Sequence, residues 1–173
     1  MKKIGLSLFT LIIFTFMSCK LNLPTLTAKI EDENYKAVYI LAVHGGINEN
    51  QKGFVIMAGD NPDLKKAKYL AFAVRGDKPG EYNISTLTVD SLPQVAALYS
   101  PIGQGDTLNK YLATDGFVKI TNVDLNKKQI NGQFEFILKN KRGDTLNVEN
   151  GKFENILFVN IDDIMSDIEQ FKN

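Results

Sequence analysis

The sequence predicts an all-β protein, a single antiparallel β-barrel or β-sandwich of about eight to ten strands with a C-terminal amphipathic helix. Three observations carry this. Residues 130–136 alternate between apolar and polar, short apolar runs elsewhere are separated by turn-type residues, and no strand–helix–strand rhythm suggests a parallel sheet.

The alternation is clearest from Ile130, where Ile130, Gly132, Phe134, Phe136 and Leu138 fall on one side and Asn131, Gln133, Glu135 and Lys139 on the other. Only a half-buried strand satisfies a period of two. Upstream, Gly116 to Val123 is rich in β-branched and aromatic residues, and Asp124 to Lys128 has the length and chemistry of a hairpin loop. Downstream, Asn140 to Asp144 supplies a second turn, after which Leu146 and Val148 resume the alternation. Asn150-Gly151 then interrupts it. The pair favours a type I′ hairpin, whose central residues both need positive φ, while a bulge inside one bent strand leaves a similar trace.

At these residues the chain resembles a family of uncharacterised lipoproteins of Gram-negative gut and environmental bacteria, grouped as a domain of unknown function. The resemblance rests on Gly116-Phe117-Val118-Lys119-Ile120-Thr121, on Ile130 to Phe136 and on Asn150-Gly151-Lys152-Phe153. Gly80-Glu81-Tyr82 and Thr27-Ala28-Lys29-Ile30 extend it over most of the chain, whereas His44 to Asp63 matches poorly. It implies no functional residues, because the family has none assigned.

The N-terminus reads as an export signal over residues 1–18. Lys2 and Lys3 precede an uncharged apolar run from Ile4 to Met17, shorter than the ~20 residues a spanning helix needs. Phe16-Met17-Ser18-Cys19 resembles a lipobox, with Ser18 fitting and Phe16 and Met17 departing from the usual residues. Cys19 is thus the expected lipidation site, and residues 19–24 form a lipidated cysteine and short stalk before a single domain over residues 25–173. The chain has 20 basic and 20 acidic side chains, so loss of Lys2 and Lys3 leaves a formal charge of −2. A near-neutral domain without a basic face argues against nucleic acid. With Cys19 acylated, no thiol remains for a disulfide, although an exported domain could have used one. Lys20 at the second mature position resembles outer-membrane sorting, with the periplasmic and surface leaflets both open.

In order, strands are expected at Leu26 to Ile30, at Tyr35 to Val43, at Phe54 to Ala58, at Tyr69 to Arg75, from Glu81 and around Ala96 to Tyr99. Tyr35 to Val43 is apolar at nearly every position, which predicts cover on both faces. Asp90 to Asp106 carries Pro93, Pro101, Gly103 and Gly105 and should otherwise be loop. At the end, Ile161, Ile164, Met165, Ile168 and Phe171 recur at helical spacing behind Asn160 as cap, with Asp162 and Asp163 in the first turn.

Candidate chemistry is sparse. His44 is the only histidine, and in His44-Gly45-Gly46 it faintly echoes an oxyanion loop, but the G-x-S-x-G partner is missing. Zinc needs three or four His or Cys ligands, so no metal is expected. Asp60, Asn61 and Asp63, or Asp162, Asp163 and Asp167, could offer oxygens to calcium without the spacing that wraps a cation in one loop. The absence of Trp removes the usual platform for sugars. Arg-Gly-Asp occurs at Arg75 to Asp77 and at Arg142 to Asp144, where good turn chemistry competes with an integrin-type reading. The expectation is a protein with no enzymatic activity and no cofactor, a membrane-tethered binding or structural module of the cell envelope whose ligand is unknown. Its alternative is a carrier of a small apolar ligand in a lipocalin-like barrel. That alternative rests on Ala71 and Ala73, which share a strand face with Tyr69 and would leave volume if they pointed inward.

Overall fold

The alternating residues of the meander form the wall of a closed barrel. The computed structural model describes residues 23–46, 52–84, 93–101 and 109–161 together with Asp163. Its strands are β1 (Thr25–Ile30), β2 (Glu33–Lys36), β3 (Tyr39–Gly46), β4 (Lys52–Gly59), β5 (Tyr69–Val74), β6 (Gly80–Asn83), β7 (Val95–Ser100), β8 (Tyr111–Asp124), β9 (Gln129–Lys139) and β10 (Thr145–Asn160). Seven of them close a ring in the order β10-β3-β4-β5-β7-β8-β9, with β9 pairing back onto β10. The hairpin β1–β2 flanks β10, and β6 pairs with β8 below β7. Of the expected C-terminal helix, only Ile161 and Asp163 fall among the described residues, and its other positions lie outside them. The rings of His44, Phe54 and Phe158 pack together at one end of the bore.

Two features depart from the sequence reading. The apolar run Tyr35 to Val43 is two strands broken at Ala37-Val38, where Ala37 N–H donates to Leu26 O and Val38 N–H donates to Gly59 O, 2.9 and 2.7 Å. Because β2 is antiparallel to β1 and β3 continues in the same direction, β3 meets β10 in parallel, the one parallel pairing in an otherwise antiparallel barrel. The second departure is Asn150-Gly151, which is a bulge within β10 and makes no hairpin. Asn150 has φ 53 and the register with β9 shifts between Val148 and Gly151; Asn155 repeats this with φ 55 and a shift between Phe153 and Ile156.

The bulges have a mechanical reason. A straight strand of 16 residues would run about 50 Å, far beyond the height of a small barrel. Each extra residue bends the strand and increases its twist, and it also resets the phase, so Leu146, Val148, Gly151, Phe153, Ile156 and Phe158 all point inward. In β8, Gly116 has φ 126 beside a register shift between Ala113 and Asp115, and a Cβ there would strike the Glu135 carbonyl.

Four phenylalanines fill the bore. Phe72 on β5 reaches across to Phe134 and Phe136 on β9 and to Phe153 on β10, with ring centroids 5.0, 5.8 and 5.7 Å apart. Gly151 lies opposite Phe134 and Gly132 opposite Phe153, and a Cβ on either glycine would collide with the ring it faces. The glycines make the room that the rings occupy. Truncating the central ring, Phe134→Ala, is expected to cost about 3–5 kcal/mol, and Gly116→Ala about 1–3 kcal/mol through backbone strain. Urea unfolding followed by far-ultraviolet circular dichroism checks both.

Candidate functional site

One end of the barrel is lined by tyrosines. Tyr35, Tyr69 and Tyr99 are buried there, Tyr39 packs edge-on against Tyr69 at 6.2 Å, and Tyr111 lies 6.5 Å from Tyr99. They surround the connection from Asp60 to Lys68, which is held by its own polar groups. Asp60 Oδ1 accepts from Lys68 N–H at 2.7 Å, Asn61 Oδ1 from Asp63 N–H at 2.9 Å, and Asp63 Oδ1 from Lys65 N–H at 3.1 Å. The tyrosines then tie the loop to the barrel, Tyr69 Oη donating to Leu64 O at 2.7 Å and Tyr35 Oη to Lys68 O at 3.3 Å. Lys68 Nζ pairs with Glu33 at the rim. The side-chain oxygens of Asp60, Asn61 and Asp63 are therefore turned to backbone N–H groups, and no group of three or more potential ligands gathers among the described residues.

Burial is the main cause that pushes the Tyr99 phenol up to about 12, with the Asp60 carboxylate next. Burial raises Tyr35 and Tyr39 as well, with Asp60 adding to each. These phenols stay protonated near neutrality, and Tyr35 uses its proton to reach Lys68 O.

At the opposite end His44 is 5% exposed on β3, its ring 4.7 Å from Phe54 and 5.4 Å from Phe158. Its Nε2 lies 4.0 Å from Asp77 Oδ2. The first Arg-Gly-Asp is thereby built into the fold. Asp77 faces His44, Arg75 N–H donates to Gln94 O at 2.8 Å, and the Tyr82 ring covers Gly76. In the second, Asn140 Oδ1 accepts from the N–H groups of Arg142 and Asp144, both at 2.9 Å, while Asn140 Nδ2 donates to Asp144 Oδ2 at 2.8 Å. Both tripeptides do turn work. Asp163 pairs with Lys128 at 2.7 Å, and Asp162, Asp167 and the lipidation candidate Cys19 lie outside the described residues.

The outer surface divides sharply. On β9 the outward positions Gln133, Glu135 and Lys139 are polar and exposed, with Ile137 the one apolar exception among its exposed positions. On β3, β4, β5 and β7 the outward positions are apolar. Cross-strand pairs place Leu41 beside Met57 and Val43 beside Val55, then Met57 beside Ala71 and Val55 beside Ala73. The same rows run on through Ala71 to Leu98 and Ala73 to Ala96, and Leu98 meets Leu112 on β8. Leu157 and Val159 extend the wall across β10. Leu41, Val55, Leu112 and Leu157 are each half exposed or more. Of the second face expected to be covered on Tyr35 to Val43, Leu41 is exposed and Val43 only partly covered. Ala71 and Ala73 belong to this outer wall, while Leu70, Phe72 and Val74 fill the bore, so the alanines create no interior volume. A shallow, open cleft of about 340 Å³ lies between β8, β9 and β10 over Gly116 and Phe136.

Fold and surfaces together define a small closed β-barrel domain, with a phenylalanine cluster in its bore and apolar side chains along one outer wall. The chain belongs to the family described as Domain of unknown function (DUF6252), whose profile matches residues 22–157. No curated protein and no solved structure matches it. Neither the tyrosine end nor the wall was picked out from the sequence. The wall could have been, since β3, β4, β5 and β7 are apolar at both inward and outward positions, whereas the tyrosines are scattered from Tyr35 to Tyr111 and only the closed ring gathers them.

The raised phenols set the alkaline behaviour. The folded chain holds the Tyr99 proton more tightly than the unfolded chain, so its stabilisation is complete below the ordinary value of 10.0 and is lost as pH rises from there toward about 12. Urea midpoints should fall across this window, less steeply in Tyr99→Phe; equal slopes would remove Tyr99 as a cause.

Proposed function

We propose that the protein is a non-enzymatic, membrane-tethered binding or structural module of the cell envelope. Cys19 carries the lipid that holds it at the outer membrane, in the periplasmic or the surface leaflet, and the apolar outer wall is its working surface. The observation that carries this reading is the wall itself. Hydrophobic side chains repeat across neighbouring strands on the solvent side of a barrel that buries a separate set of apolar residues inside, and contiguous apolar surface of this kind marks an interaction site. The anchor is supported by the charged start, the short apolar run and the sole cysteine directly after Ser18. Acid–base or nucleophilic chemistry finds little support, because the chain has one histidine, held among aromatic rings, and phenols kept protonated by burial.

The carrier reading rested on inward alanines, and it now lacks that support. A carrier would hold lipid in the bore, so mass spectrometry of the gently purified protein is expected to find none beyond that on Cys19; bound lipid that Ala97→Phe, at a buried inward position, displaces would revive the carrier. The anchor has its own test. Cys19→Ala is expected to leave the membrane fraction and to lose signal-peptide processing, and a variant that stays membrane-bound and normally processed overturns it.

A further inference from the structure

We infer that the apolar wall rests on the lipid bilayer, so that the barrel lies on its side against the membrane to which its N-terminus is tied. The inference deepens the tethered reading above and rests on acylation of Cys19. Where the chain enters the barrel decides between occupants. Thr25 pairs with Glu154, and Leu157 follows three residues later on β10, within about 10 Å along the strand. Leu23 and Pro24 are exposed, so the stalk leaves the barrel on its outside, at the border of the wall. From Lys20 to Pro24 the stalk reaches at most about 17 Å when fully extended. A bilayer holding the lipid of Cys19 is therefore confined to the side of the domain on which the wall lies.

The wall also has the composition such a surface needs. Its outward rows on β4, β5 and β7 carry no charge between Gly53 and Gly59, between Tyr69 and Val74 or between Val95 and Ser100. Its ends are amphipathic. The part-exposed Tyr39 borders it on one side and the exposed Arg75 on the other, residue types that sit at headgroup level beside a hydrocarbon phase. The outward side chains of β9, around Glu135, would face water. One acyl anchor and one apolar face then act together, and the orientation of the domain follows from geometry alone.

The test uses the full acylated chain in vesicles of phosphatidylethanolamine and phosphatidylglycerol that contain a lipid with a nitroxide just below its headgroup. Acylation leaves Cys19 without a thiol, so a single cysteine introduced by Val55→Cys or by Glu135→Cys takes a fluorescent label alone. Both positions are exposed, and thermal melting of the labelled chains confirms that each is folded. Quenching is expected to be several-fold stronger at position 55 than at position 135. Intact mass reports the lipid on Cys19 independently. With the lipid present, equal quenching at the two positions, or none, overturns the wall as a membrane surface while the anchor stands. A mass without lipid overturns the anchor and the inference together. A label at position 55 that is already shielded in detergent assigns the wall to another occupant and overturns the inference too: a second copy if shielding grows with protein concentration, the chain's own residues 164–173 if it does not.

Discussion

The contact on which the rest of this structure depends is the meeting of Phe72 with Phe134, Phe136 and Phe153 across the bore. Each ring removes a large apolar area from water, and tilted or offset contacts at these separations add to that burial. The cluster joins β5 to β9 and β10 on the opposite side of the ring, so it ties together strands that share no hydrogen bond. It also dictates where side chains must be missing. Gly132 and Gly151 face the two rings that the narrow bore could not otherwise hold, and the Asn150 and Asn155 bulges keep β10 in phase with them along its length.

Closing the ring around these phenylalanines has a consequence for the outside. Barrel closure leaves no strand edge along the seven-membered ring, which removes the usual route to edge-to-edge association. It does nothing for the outer face. β3, β4, β5 and β7 are apolar on both sides, and the core needs only one of them. The surplus has to be accounted for by something outside the barrel, which is why the wall rather than either end bears the functional argument. The two ends are occupied by fold-maintaining contacts: tyrosines strapping the Asp60 to Lys68 connection at one, and His44 between Phe54 and Phe158 at the other.

The polar motifs that stand out in the linear chain are absorbed in the same way. Asp60 and Asp63 satisfy backbone N–H groups, and each Arg-Gly-Asp aspartate is directed at a neighbour within the fold, Asp77 at His44 and Asp144 at Asn140. Turns need such side chains because their backbone groups lack ladder partners. A motif read along the chain cannot distinguish that use from display to a partner.

What the sequence by itself determined is the class and most of the strands. A period of two over Ile130 to Phe136 leaves no other conformation, and polar turn residues at Asp124 to Lys128 and Asn140 to Asp144 locate the two hairpins of the meander. Bulges were legible in principle, since the inward residues of β10 step by two and then by three, but Asn-Gly satisfies a hairpin and a bulge equally because both need positive φ. Only the tertiary structure decided that Ala71 and Ala73 face outward, that β3 meets β10 in parallel, and that one wall is bare. An alternating strand has two equivalent faces until a ring closes around one of them, and which face goes inside is settled by residues distant in sequence, here Phe134, Phe136 and Phe153 reaching for Phe72.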